Sequence, residues 1–454
     1  MSDSEARSGG VVGVETFSQG SDGYKRATSP RNSSAIQHPL LVASPASIEE
    51  LAAAVRHAAT RHLHVVPQAT GHGAGAELGD DVMLLDTSRF NSIKIDLERR
   101  TARVGAGAQW GAINLEAEKF GLLGRAGSAP DVAVCGFTFG GGAGWLTRPH
   151  GLAAGALTAV DYVDGFGNVR RAADEASAEV DRAAVWAYRG GGGVGVAGTL
   201  EFDLVAVDDL WAGSMLWQID ELAGVVSAWS ETIAHVGPAL ATSIGVLRVP
   251  PGPPIPGTQP GQQVVHLVMA SSDGAGHAAA LRDALAELPA PLVDSWGRCD
   301  AARLGEIHMD PPVAAPALGI ARWLDRSASS IAFDVFAAAI DSPILMIELR
   351  HVANAAIARD GAASTVAGDF MLHAVGDVGD PDDRPALEAA FAVVRQAAGA
   401  ADTGLAIGSW AEGRSAVPDA LPPEVRDRVI AITKMVDPNN VITPSRFIAE
   451  TTHH

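Results

Sequence analysis

The stretch Val65-Val66-Pro67-Gln68-Ala69-Thr70-Gly71-His72-Gly73-Ala74-Gly75 runs from an apolar strand straight into a glycine loop. Gly71, Gly73 and Ala76 formally satisfy the G-x-G-x-x-A dinucleotide fingerprint. That fingerprint works when a helix starts at the loop and aims its N-terminus at a pyrophosphate. Here Glu77-Leu78-Gly79-Asp80-Asp81 intervenes and an apolar strand, Val82 to Leu85, follows, so a Rossmann unit is excluded by context. No G-x-x-x-x-G-K is present, which excludes a P-loop. His72 among these glycines reads as a loop residue, a general base or a covalent anchor. A metal site is disfavoured, because the neighbouring His57, His62 and His64 lack the spacing and supporting ligands of one.

Working outward, two further glycine clusters follow: Gly140-Gly141-Gly142-Ala143-Gly144, and Gly190 to Gly193 with Gly195 and Gly198. Singly, each is explained by tight packing and bulges. Three within one stretch point to backbone N–H groups cradling something large and anionic, such as a dinucleotide. Around them the pattern alternates. A strand at Leu40 to Val42 leads to a helix opened by Ser47, with Glu50 completing a capping box. Ile48, Leu51, Val55 and Ala58 give that helix one buried face. Strands follow at 64–66, 82–85, 93–96 and 102–106, then a helix over 109–120 ending at Gly121.

With 454 residues and 47% hydrophobic content, the chain has material for two domains whose cores rest on Ala, Val, Leu and Ile, aromatics being only 5%. A net charge of -20 argues against a nucleic-acid partner and fits action on a small molecule. Cys135 and Cys299 cannot form a disulfide framework. With no apolar leader evident from Met1 to Gly13 and no run long enough to span a membrane, the expected location is cytoplasmic, without a membrane partner. The terminal pair His453-His454 is assigned no function. From about Asp208 the texture changes: strands at 264–269 and 344–349 alternate with Ala-rich helices at 277–288 and 384–398, and the Pro-rich run 249–260 reads as a surface loop.

Four ordered segments carry a resemblance. Val65 to His72 resembles the segment in which a strand leads to R-x-G-G-H, and Ala129 to Leu146, continuing into Gly151-Leu152, resembles a second FAD loop. Trp186-Ala187-Tyr188-Arg189-Gly190 to Gly193 resembles W-A-x-R-G-G-G-G, and Asp437-Pro438-Asn439-Asn440-Val441 resembles D-P-x-N-L. Together they are similar to the FAD-linked oxidases of the p-cresol methylhydroxylase and vanillyl-alcohol oxidase superfamily, in the berberine bridge enzyme-like group. The resemblance implies an α+β protein. A two-subdomain FAD-binding domain would span 35–207, after a mobile or loosely docked arm over 1–34. A substrate domain with a helix-covered antiparallel sheet would span 208–427, and 428–454 would return to the FAD-binding domain. It implies FAD attached through an 8α-histidyl bond to His72. Residues matched to the FAD site are Gln68, Ala69, Thr70, Gly71, Gly73, Ala129, Asp131, Val132, Gly136, Phe137, Gly140, Gly141, Gly142, Gly144, Trp145, Leu146, Gly151, Leu152, Gly195, Val196 and Ser445.

The chain departs from the family in several places. Gln68 and Thr70 replace the usual Arg and Gly, and Ala129 stands where doubly linked members carry a cysteine bonded to flavin C6. Cys135, six residues on, reads as a small buried residue. After Gly193 the usual Asn-Phe-Gly is shortened to Val194-Gly195, and Ser445-Arg446-Phe447-Ile448 replaces N-x-N-I. Ala406-Ile407-Gly408 lies where a base-bearing tyrosine strand is common. The family chemistry implies hydride transfer from a carbon bearing OH or NH to the flavin, with O2 or another small acceptor, in a monomer or homodimer. A dehydrogenase or reductase using a different acceptor, and a ligand-sequestering flavoprotein of natural-product resistance, are the rival readings. Glu348 and Arg350, alternate residues on one strand face, are the first candidates for catalysis, against the plainer reading of an ion-paired or solvated face. His351 and Glu412, with His373 and Trp410, come second.

Overall fold

The computed structural model describes residues 9–449 apart from 252–254, 312 and 358. The 249–260 loop therefore lies partly outside the described residues. The first sheet has the order β1 (Glu15–Phe17), β2 (Leu41–Ser44), β4 (Val82–Asp86), β3 (His64–Gln68), with β2, β4 and β3 parallel. The helix Ile48–Arg61 makes the crossover from β2 to β3. Ser47 Oγ accepts the Glu50 N–H at 3.2 Å, while Glu50 Oε2 reaches back to the Ala46 N–H at 2.8 Å. The outer edge of β3 is covered by the C-terminal segment: the Val65 N–H donates to Val441 and the Thr443 N–H to Val65.

A second, antiparallel sheet has the order β5 (Ile93–Asp96), β6 (Thr101–Gly105), β10 (Val196–Asp203), β8 (Leu157–Val163), β9 (Val169–Ala173). The short strands β7 (Leu122–Leu123) and β11 (Val205–Ala206) pair separately. Val163 and Val196 of the second sheet pack with Leu41, Val55 and Val65 in one core, joining the two sheets.

Residues 9–34, expected to be a mobile or loosely docked arm, make several contacts with the rest of the chain. β1 pairs with β2, Tyr24 is buried with its hydroxyl on the Pro39 carbonyl, and the Asn32 N–H donates to Gly71. Val11, Val14, Phe17 and Tyr24 add apolar contacts, and Arg31 and Asn32 add side-chain hydrogen bonds.

The third sheet is antiparallel, in the order β15 (Val293–Asp294), β12 (Trp211–Gln218), β14 (Gln263–Ser271), β13 (Leu240–Arg248), β18 (Ile344–His351), β19 (Phe370–Asp377), β17 (Ala317–Leu324), β20 (Asp402–Ala406), with β16 (Gly297–Arg298) also on β12. Helices Leu222–Ile233, Ala279–Ala286, Ala328–Ala337 and Arg384–Ala398 cover one face through Trp229, Leu285, Phe336 and Phe391. The other face meets the glycine-loop half of the molecule: Trp145 and Leu146 pack on Ala241 and Val268, and Ala143 and Leu152 on Trp323 and Met371. Because side chains alternate along a strand, register alone lines up two rows on that face. One runs His266, Gly245, Glu348, His373, Ala321; the next runs Val268, Ser243, Arg350, Met371, Trp323.

Candidate active site

Those two rows bring charge into a buried setting. Glu348 is 3% exposed and Arg350 1%. Arg350 Nη2 donates to Glu348 Oε1 at 3.2 Å and to Ser128 Oγ, from the glycine-loop half, at 3.0 Å. The guanidinium lies 3.9 Å from the Trp145 ring centroid and 4.8 Å from that of Trp410, a cation–π sandwich. His308 bridges Asp310 (2.9 Å) and Glu348 (3.2 Å). His373 meets Glu412 at 3.2 Å and faces Glu348 at 3.7 Å. Ser243 Oγ donates to the other Glu348 oxygen.

The charges set one another. Burial opposes the Glu348 charge, but Arg350 and His308 outweigh it and hold the carboxyl well below the usual range. Burial alone would lower both partner imidazoles. Instead Asp310 and Glu348 push His308 up to about 10, and Glu412 and Glu348 push His373 up to about 9. His266, with His308 beside it, is pushed down to about 4 by burial. Glu348 is therefore ionised with both oxygens engaged, which makes it the keystone of the cluster rather than a free base. Of the plainer reading of Glu348 and Arg350, the ion-paired form holds and the solvated form does not. His351, by strand alternation, points the other way and stacks on Phe370 at 5.3 Å, away from the cluster. Glu412 and His373 belong to the cluster; His308, Asp310, Ser128 and Ser243 join it without having been foreseen.

At the first glycine loop, His72 Nε2 lies 3.0 Å from Asp131 Oδ1, bent out of line for a ring N–H hydrogen bond, and Asp131 Oδ2 accepts from Arg31 Nε at 2.8 Å. Burial opposes the Asp131 charge, yet His72 and Arg31 hold its carboxyl far below its ordinary value. Arg446 ties this loop to the cluster: its guanidinium donates to the carbonyls of Gly73 (3.1 Å), Gly408 (2.5 Å) and Ala411 (2.7 Å), on the loop that carries Trp410 and Glu412. Gln68 bonds Gln37 and the Ala27 carbonyl, and the Thr70 carbonyl accepts from the Arg31 N–H.

Gly140, Gly141, Gly142 and Leu152 line a cavity together with Gly190, Trp323, Ile407 and Gly408. Gly141 and Gly190 both sit at φ 97°, closed to most L side chains, and a Cβ on Gly190 would lie 2.5 Å from the Ala363 carbonyl oxygen. Such loops allow close backbone approach, and His72 is a partly exposed imidazole whose Nε2 faces Asp131, which leaves Nδ1 to meet a flavin. The residues present fit FAD on both counts.

The other matched positions make the following contacts within the chain. Phe137 and Val196 are core residues, Trp145 covers Arg350, Leu146 packs on the third sheet, and a Cβ on Gly144 or Gly195 would strike Ala126 or Tyr162. Ser445 closes against Gly192, where a Cβ would come within 1.9 Å of its hydroxyl. Gly151 packs beside Ala356; Val132 receives the Trp110 N–H; Ala69 and Ala129 are half-buried, and a Cβ on Gly136 would meet open space. Among the described residues, no group of three or more His, Cys, Asp or Glu side chains could hold a metal ion. Cys135 packs against the core with its thiol pushed up by burial. Cys135→Ser is expected to leave flavin content and linkage unchanged, as read by the absorption spectrum of the denatured protein. Loss of a thioether signature would contradict that placement.

Residues 39–173 match the family model of an FAD binding domain. The chain is 32% identical over 224 residues to (R)-6-hydroxynicotine oxidase of Paenarthrobacter nicotinovorans, covering 47% of this chain and 48% of that one. It is 30% identical over 200 residues to xylooligosaccharide oxidase of Thermothelomyces thermophilus, covering 42% and 39%. The chain thus spans about half or less of the length of these relatives. Its whole fold is that of solved oxidases. The structure of 6-hydroxy-D-nicotine oxidase from Arthrobacter nicotinovorans matches 95% of this chain and 96% of its own, with a TM-score of 0.78 at 21% identity. That of glucooligosaccharide oxidase from Acremonium strictum, described with a 6-S-cysteinyl, 8α-N1-histidyl FAD, covers 94% and 95% with a TM-score of 0.77 at 16% identity. The matched domain and the fold define a flavoprotein whose cofactor is FAD. Residues 39–173 thus form an FAD binding domain, and the chain as a whole has the fold of these solved oxidases.

Proposed function

We propose that the protein is an oxidase that removes a hydride from an OH- or NH-bearing carbon of a small polar organic substrate, with FAD bonded to His72 and O2 as the final acceptor. The observation that carries this reading is the buried Glu348–Arg350–His308–His373–Glu412 cluster, set on the sheet face that meets the FAD-binding domain. Bound FAD would supply the hydride acceptor. The glycine loops around Gly141 and Gly190 would let backbone approach the cofactor, and His72 would anchor it. Arg350, set between the Trp145 and Trp410 rings, has two buried nitrogens, Nε and Nη1, without protein partners; these would orient a polar substrate. Glu348 fixes Arg350, His308 and His373 in place.

The test is anaerobic mixing of purified protein with an amine, (R)-6-hydroxynicotine, and a sugar, xylobiose, within a wider panel of alcohols and amines. Bleaching of the flavin by a panel member, with colour restored on admitting air, is expected. Restoration by a quinone but not by air would replace the oxidase reading with a dehydrogenase. Protein that purifies without flavin would contradict both.

A further inference from the structure

The Arg31–Asp131–His72 line is not required for the chemistry above, yet three separate segments converge to build it. Arg31 comes from the N-terminal strap, Asp131 from the turn after Ala129, and His72 from the first glycine loop. Backbone bonds hold the strap in place: the Arg31 and Asn32 N–H groups donate to Thr70 and Gly71, and the Arg31 guanidinium donates to the Pro311 and Val313 carbonyls. Arg31 thus holds the carboxylate from one side while the other oxygen meets His72 at 3.0 Å.

We infer that Asp131 is the positioning residue for covalent attachment of FAD, fixing the His72 tautomer whose Nδ1 carries the lone pair and stabilising the charge that the ring acquires. The inference rests on the His72 attachment proposed above. An ionised carboxylate at Nε2 requires the proton there, which leaves Nδ1 as the nucleophile. In the attachment, a C–N bond forms between Nδ1 and the flavin 8α carbon, and one C–H bond of that carbon breaks. The proton leaves to solvent, and the two electrons pass into the flavin ring and then to O2. The product is an alkylated imidazolium, with its Nε2 proton still facing Asp131. An anion 3.0 Å away favours that product over the neutral ring from which it forms.

The test follows the fraction of flavin that resists acid precipitation, with mass analysis of the His72 peptide, after FAD is added to protein from flavin-limited cells. Asp131→Asn is expected to slow attachment at least tenfold while total bound FAD stays near one per chain, and Asp131→Glu to recover it to within threefold. Arg31→Gln, which breaks the strap contact but keeps the carboxylate, should cost less than threefold. Attachment at the wild-type rate in Asp131→Asn would overturn the inference. So would equal losses in Asp131→Asn and Arg31→Gln, or an Asp131→Asn protein that no longer binds FAD, since either marks a folding role. A wild-type protein with only dissociable flavin would instead overturn the His72 attachment itself.

Discussion

Glu348→Gln is expected to destabilise the protein by about 3–5 kcal/mol, the usual cost of removing one member of a buried ion network. The substitution keeps the shape but leaves Arg350, at 1% exposure, together with His308 and His373, without their shared counter-charge. A buried charge without a partner retains its desolvation cost, and no solvent is at hand to screen it. The pH dependence should change in step. His308 and His373 titrate in the fold at about 10 and about 9, above the ordinary 6.5. The stability they contribute is therefore complete below about pH 6.5 and lost as pH rises through 9 to 10. Denaturant midpoints taken from pH 6 to 10 should fall across that window in the wild type and be lower and flatter in Glu348→Gln. An unchanged midpoint at pH 7 would mean that the cluster is not buried as described.

The second large effect is all-or-none. His72→Ala should leave no flavin attached after denaturation, while the glycine loops still hold FAD that can be dialysed away. Cys135 and Cys299 offer no substitute, because burial pushes both thiols up, to about 11 for Cys299, and suppresses the thiolate. Denatured His72→Ala protein that keeps its flavin would place the anchor elsewhere.

What the sequence revealed tracks how local each feature is. The strands and loops around His72 and Gly140 to Gly144 are short-range patterns, and β5 and the helix Arg384–Ala398 fall at the residues expected from alternation and apolar spacing. Glu348 and Arg350 were legible as one strand face because they are two residues apart. Their meaning was not, because it depends on distant partners. His308, 40 residues before Glu348, sits in a loop without a motif, and Ser128 approaches Arg350 across 222 residues. The same distance effect turned Glu348 from a candidate base into a saturated carboxylate. His351 shows the converse: it adjoins Arg350 in sequence, but period-two alternation sends it to the helix-covered face.

The proposed attachment of FAD to His72 can be read directly. Wild-type protein precipitated with acid and washed should give a yellow pellet, and digestion should yield a single flavin-bearing peptide containing His72, heavier by the mass of FAD less one hydrogen lost from each partner. Flavin released entirely into the supernatant, with the His72 peptide at its unmodified mass, would contradict it.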